Sequence, residues 1–142
     1  MGLNVLVVDD SAVMRAMIEK TLQICGIPIN QIYYAGNGVD ALAELDKNWM
    51  DLALIDINMP VMTGEELLSQ LRKSDAMSDL PVIIVSTEGS MKRIAALRQQ
   101  GAEFVHKPFT PEILRDSIFR VMGLTEDDIL SGRQTVADGP DF

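Results

Sequence analysis

Five short, nearly continuous apolar runs punctuate the chain, at Val5–Val8, Gln31–Tyr34, Leu52–Ile55, Val82–Val85 and Phe104–Val105. Runs of this length without polar alternation are the mark of strands covered on both faces, since neither face then offers side chains to water. Between the runs, apolar residues recur at three- and four-residue intervals. The stripes are Met14, Met17, Ile18, Leu22 and Cys25; Val39, Leu42 and Leu45; Leu67, Leu68 and Leu71; Met91, Ile94 and Leu97; and Ile113, Leu114, Ile118, Val121 and Met122. Each stripe is one face of an amphipathic helix. Ser11 before the first stripe and Gly26 after it read as its N-cap and terminator.

Strict alternation of strands and helices through short connections implies a parallel sheet with helices on both faces, because every parallel crossover must run back over the sheet. The chain is therefore expected to be an α/β protein, a three-layer, doubly wound, five-stranded parallel sheet over residues 1–122. The periodicity stops at Gly123. Residues 123–142 hold five carboxylates against one arginine, and are expected to form an acidic, mobile tail.

Composition narrows the picture. With 142 residues, 47% of them hydrophobic, the chain has enough apolar material for one domain with a sizeable core. Cys25 is the only cysteine, so it can form no intramolecular disulfide and reads as a small core residue near a helix end. The apolar run from Leu3 to Val8 is too short for a signal peptide or a membrane span, and a soluble cytoplasmic protein is expected. The formal charge is −9. Neither the domain nor the tail carries the basic surface of a nucleic-acid binder.

Chemistry gathers at the ends of the runs. In an open parallel sheet, ligands bind beyond the carboxyl ends of the strands. There the chain places Asp9 and Asp10 after the first run, Asp56 after the third, Ser86 and Thr87 after the fourth, and His106, Lys107 and Pro108 after the fifth. Three carboxylates held together repel one another unless a proton or a cation neutralises them, and an all-oxygen site with room for water suits Mg²⁺. A divalent ion beside a lysine and a hydroxyl is also what a phosphoryl group requires, with Asp56 as its nucleophile.

Taken singly, any of these residues is as well explained by a helix cap or a surface ion pair. Their joint placement at four strand ends is what favours function, whereas Ser11 and Thr110 are read as caps. His106 alternates with Lys107 along a strand, so it is expected to face away from the site as a structural histidine. The methionines read mostly as core, although Met59 and Met62, in the loop after Asp56, can shape access to it.

Four segments resemble the receiver domains of two-component signalling, and within them the single-domain chemotaxis type. They run from Val7 through Asp9 and Asp10 to Arg15, from Asp56 through Asn58, Met59 and Pro60 to Gly64, from Pro81 through Ser86 and Thr87 to Glu88, and from Gly101 through Phe104 and Lys107 to Phe109. The similarity covers residues 3–122. It implies a flavodoxin-like strand order 2-1-3-4-5 and Mg²⁺ bound directly by Asp10, mainly through water by Asp9, by Asp56, and by the backbone carbonyl of Asn58. Asp56 would accept phosphate from the phosphohistidine of a sensor histidine kinase or phosphotransfer protein. Lys107 would contact the phosphoryl oxygens, Ser86 would swing in to bond one of them, and Phe104 would then turn inward beneath the fourth helix. The resemblance also implies a cis Lys107-Pro108 bond, a downstream protein target, and no enzymatic turnover beyond the domain's own phosphoryl chemistry. Asn58 and Glu88 at the mouth match the chemotaxis regulators and point to a short-lived phosphoryl group. Thr87 departs from the usual Ala or Gly and, with Met59, would crowd the entrance.

Three other readings are weaker. An aspartate-nucleophile phosphatase of the haloacid dehalogenase type needs a second Asp where Asn58 stands. A purely binding module leaves the intact Asp9, Asp10, Asp56, Ser86 and Lys107 unexplained. A dinucleotide-binding domain needs a Gly-rich first turn, and here it reads Asp9-Asp10-Ser11-Ala12.

Overall fold

A computed structural model describes residues 2–125. Strands β1 (Leu3–Val8), β2 (Ile29–Ala35), β3 (Leu52–Ile55), β4 (Val82–Ser86) and β5 (Glu103–His106) alternate with helices α1 (Ala12–Ile24), α2 (Gly38–Lys47), α3 (Gly64–Lys73), α4 (Met91–Gln99) and α5 (Pro111–Met122). All strand pairs are parallel, in the order β2-β1-β3-β4-β5. This is the expected doubly wound, flavodoxin-like sheet. β2 departs from the expected two-sided burial: it is an edge strand with several exposed positions, and its apolar run is shorter than the strand.

The sheet has an apolar core on each face, and the strands supply both by alternation. Leu6 and Val8 of β1 point with Ala53, Ile55, Val82, Ile84 and Phe104 into a core closed by α2, α3 and α4. Val5 and Val7 point the other way, with Leu52, Leu54, Ile83, Val85 and Val105, into a core closed by α1 and α5. Such two-sided burial accounts for the unbroken apolar runs of the inner strands.

Every helix starts on a polar cap. Ser11, Asn37, Thr63, Ser90 and Thr110 each accept, through the side chain, the backbone N–H three residues on, which satisfies one of the free donors of the first turn. Thr63 and Glu66 complete a capping box. At the other end of the chain Gly123 takes φ +68°. Leu124 N–H then bonds Phe119 O and Gly123 N–H bonds Arg120 O, the arrangement of a Schellman turn. Leu124 is thereby buried against the α1 and α5 core. The segment expected to form a mobile tail lies, from residue 126 on, outside the described residues.

Four stripe residues are not in the core: Met17, Val39, Met91 and Ile113 are 47–75% exposed. A helix laid on a sheet buries only a stripe of its surface. Met17 and Ile113 are each one position off the inward Ile18 and Leu114, and Val39 and Met91 occupy first turns, near the edge of the sheet. Cys25 is buried and free, as expected. Among the described residues no helix is long and apolar enough to cross a membrane.

Among the described glycines, Gly64 has the tightest surroundings. A Cβ there would stand 2.2 Å from the carbonyl oxygen of Asp56, and backbone cannot yield as a flexible side chain can. Gly64→Ala is expected to lower stability by about 2–4 kcal/mol, whereas Gly89→Ala, with nothing within 4 Å, should be within about 1 kcal/mol of wild type. Urea denaturation midpoints of the two variants check the contrast.

Candidate functional site

The strand ladders carry the polar residues to one edge. Asp9 N–H bonds Ala35 O, Asp56 N–H bonds Val8 O, and Lys107 N–H bonds Ser86 O, so each pairing continues one residue past its strand and pins the backbone of a candidate site residue. Behind Asp56, Gly64 N–H bonds Ile57 O at 2.8 Å and starts α3 directly beneath. The peptide between Lys107 and Pro108 is cis, as the resemblance implies.

Asp9, Asp10 and Asp56 converge, with one carboxylate oxygen from each lying within 4.8 Å of the others. Asp9 is 1% exposed and Asp56 8%, while Asp10 faces solvent. Lys107 Nζ lies 2.9 Å from Asp9 Oδ2 and 3.6 Å from Asp56 Oδ1. The other Asp9 oxygen accepts Ser11 N–H at 2.9 Å, and Asp56 Oδ1 accepts Ile57 N–H at 2.9 Å. Arg15, to which the sequence reading gives no role, donates from Nη1 to Asp9 O at 2.6 Å.

Burial holds the Asp56 carboxyl above its ordinary range; the Lys107 ammonium opposes this, Asp9 adds to it, and the Ile57 N–H and Ser86 hydroxyl lower it. Three carboxylates beside one ammonium leave the pocket with an excess of negative charge. Its donors are hard oxygens, with Asp10 open to solvent, which is the chemistry of a site for a divalent cation such as Mg²⁺ rather than for a soft metal.

Ser86 is fully buried and its Oγ accepts Glu88 N–H at 3.3 Å. Thr87 and Asn58 are exposed at the mouth. Met59 is 8% exposed and belongs to the core cluster that includes Leu67 and Leu68; Met62 is half-buried, against Gly38. Phe104 is already inward, 7% exposed in the core with Ile94 and Leu97 of α4. His106 is exposed, on the Phe104 side of β5, with its ring edge-on to Phe104 at 4.7 Å between centroids. It stands apart from the carboxylates, as its alternation with Lys107 predicts. Ser11 and Thr110 cap helices, also as expected.

Sequence reasoning passed over Glu65 and Arg93, which join Glu88 at the rim. Arg93 bonds Glu88 Oε1 at 2.6 Å and Glu65 Oε2 at 3.0 Å. The interval of 28 residues between Glu65 and Arg93 has no periodic signature, and only their charges mark them.

The response regulator receiver domain family matches residues 5–119. The chain is 36% identical over 126 residues to chemotaxis protein CheY1 of Helicobacter pylori, covering 87% of this chain and all of that one. It is similar to the structure of chemotaxis response regulator CheY4 of Vibrio cholerae, with a TM-score of 0.73 and 35% identity over 85% of this chain and 99% of the other. A CheY from Borrelia burgdorferi, solved as a CheX-CheY-BeF3-Mg complex, gives a TM-score of 0.75 at 26% identity over 84% of this chain and 88% of that one. With the family model matched over most of its length and curated chemotaxis relatives 36–37% identical over 85–87% of it, the chain belongs to the response regulator receiver domains, of the CheY type.

Proposed function

We propose that Asp56 accepts a phosphoryl group from the phosphohistidine of a sensor histidine kinase or phosphotransfer protein, in a Mg²⁺-dependent reaction. The observation that carries this reading is the meeting of three carboxylates at one strand edge with Lys107 Nζ 3.6 Å from Asp56. A Mg²⁺ ion held by Asp9, Asp10, Asp56 and the Asn58 carbonyl would supply neutralisation for a phosphoryl group's oxygens.

An Asp56 carboxylate oxygen attacks phosphorus while the phosphorus–nitrogen bond to the donor histidine breaks, its electron pair returning to the ring nitrogen. Lys107 holds Asp9 and Asp56 in place and is near enough to donate to an equatorial oxygen as the phosphoryl group arrives. Ser86 reports the event. Its hydroxyl turns from the Glu88 N–H toward the phosphoryl oxygen, and the β4–α4 connection follows it. Phe104 is already beneath α4, so the α4, β5 and α5 face responds chiefly through that connection, and offers the changed surface to a downstream protein target. The role is that of a phosphoacceptor in signalling: Asn58 stands where a turnover phosphatase would need a general acid. The Borrelia CheY, solved together with Mg²⁺ and BeF3, fits this reading.

Incubation with Mg²⁺ and acetyl phosphate should add one phosphoryl group, located on Asp56 by mass spectrometry of the borohydride-reduced peptide. Asp56→Asn, or omission of Mg²⁺, should reduce uptake at least about tenfold; label at the wild-type rate in Asp56→Asn would exclude Asp56 as acceptor.

The charge balance gives a second expectation. Because the folded-state pKa of Asp56 is raised, its ionisation weakens the fold, and the loss grows as pH rises from the ordinary carboxylate range through that raised value. Without Mg²⁺ at neutral pH, Asp56→Asn should therefore melt higher than wild type, on the order of 3 °C. The gap should close on acidification below the ordinary carboxylate range. Thermal denaturation of both proteins at neutral and acid pH measures it, and a variant less stable than wild type at neutral pH would contradict the electrostatic account.

A further inference from the structure

The connection from β4 to α4 has little packing of its own. Thr87 is exposed, and a Cβ added at Gly89 would meet nothing within 4 Å. Side-chain bonds hold it instead. Glu88 N–H donates to Ser86 Oγ at 3.3 Å, Ser90 N–H donates to Glu88 Oε2 at 3.0 Å, and Arg93 Nη1 donates to Glu88 Oε1 at 2.6 Å. The same guanidinium forks onto Glu65, Nε to Oε2 at 3.0 Å and Nη2 to Oε1 at 2.5 Å. Glu65 lies in the first turn of α3, next to the Gly64 that packs on the carbonyl of Asp56. One arginine thus ties the loop after Asp56 to the loop after Ser86.

Isolated surface ion pairs order little, but a guanidinium bidentate on one carboxylate and shared with a second is the arrangement that orders most. The side chains of Arg93, Glu65 and Glu88 are 37%, 34% and 17% exposed, so water only partly screens them. The Arg93 hydrogen bonds hold the Glu65 carboxyl below its ordinary range, and the clamp stays charged at neutral pH.

We propose that Arg93 is a positioning residue: by gripping Glu65 and Glu88 together it keeps the Glu88 carboxylate neutralised and engaged within its own loop, and so lengthens the life of the phosphoryl group on Asp56. The inference rests on Asp56 being the acceptor. Glu88 is two residues beyond Ser86, where a free carboxylate can orient a water for attack on phosphorus and take its proton. With one oxygen bonded to Arg93 and the other to Ser90 N–H, it is held within its own loop and less free to turn to such a water.

Two measurements test the clamp on the full chain. In amide spectra recorded without Mg²⁺ or donor, Arg93→Gln and Glu65→Gln should displace the Glu88 and Ser90 N–H resonances in the same direction, although Glu65 sits on another helix; unmoved resonances in Glu65→Gln would overturn the clamp. In the second, intact mass follows loss of the phosphoryl group after acetyl phosphate is removed with Mg²⁺ present. Arg93→Gln and Glu65→Gln should each speed the decay about threefold or more, with Arg93→Lys in between, and adding Glu88→Gln to Arg93→Gln should abolish the gain. Wild-type decay in Arg93→Gln, or a gain that survives Glu88→Gln, would overturn the inference while leaving the function intact. A wild-type chain that takes up no phosphoryl group would overturn both.

Discussion

Two carboxylates, Asp9 and Asp56, sit at the ends of adjacent strands with almost no access to water, and their repulsion has to be met by positive charge. Lys107 meets part of it, reaching both from the end of β5. Burial nonetheless holds the Asp56 carboxyl above its ordinary range, with Lys107 opposing and Asp9 adding to it. The rest of the architecture serves this edge. The sheet order places β1 between β2 and β3 and puts β4 and β5 beyond β3, so residues 9, 56, 86 and 107 meet though nearly a hundred positions separate the outermost. A pocket with unspent negative charge and an acceptor of raised pKa is primed for a cation, and then for a group that brings anionic oxygens with it.

The two loops that face each other across this pocket are held by different means. The loop after Asp56 is anchored by backbone: Gly64 N–H on Ile57 O, a glycine that permits no Cβ, and a capping box at Thr63. Its cost shows at Val61, a β-branched residue at φ +70°. The loop after Ser86 is held by side-chain and local bonds centred on Glu88 and Arg93. A rigid wall that carries Asp56 and a lighter wall that carries Ser86 would suit the proposed switch, since differential contacts on one side can move the other without unfolding it.

Kinship with the chemotaxis regulators covers most of the chain, and the pairing of Glu65 with Arg93 follows from the way α3 is set against α4. Relatives that share the strand-end residues share the chemistry those residues can do. How long the product lasts depends on neighbours that need not follow the same pattern. An aromatic at position 104 is expected from the resemblance, and its resting position is inward, in one core cluster with Ile94 and Leu97 of α4.

The alternation of apolar runs and helical stripes was enough to define the doubly wound sheet, because burial on both faces leaves strands no polar positions and a crossover leaves helices one inward stripe. The inner strands were legible almost to the residue, and Asp9, Asp10, Asp56, Ser86 and Lys107 could be picked out because local order places them where a parallel sheet gathers ligands. Where a residue lies one step off a stripe, as Met17 and Ile113 do, its apolar character alone cannot tell core from rim, and tertiary packing decided. It also decided that the core reaches Leu124 and that Arg93 joins Glu65 to Glu88. Hydrophobic periodicity is a local property that one chain carries along its length, whereas an ion pair between two helices depends on how the sheet's twist and the loop lengths set those helices side by side.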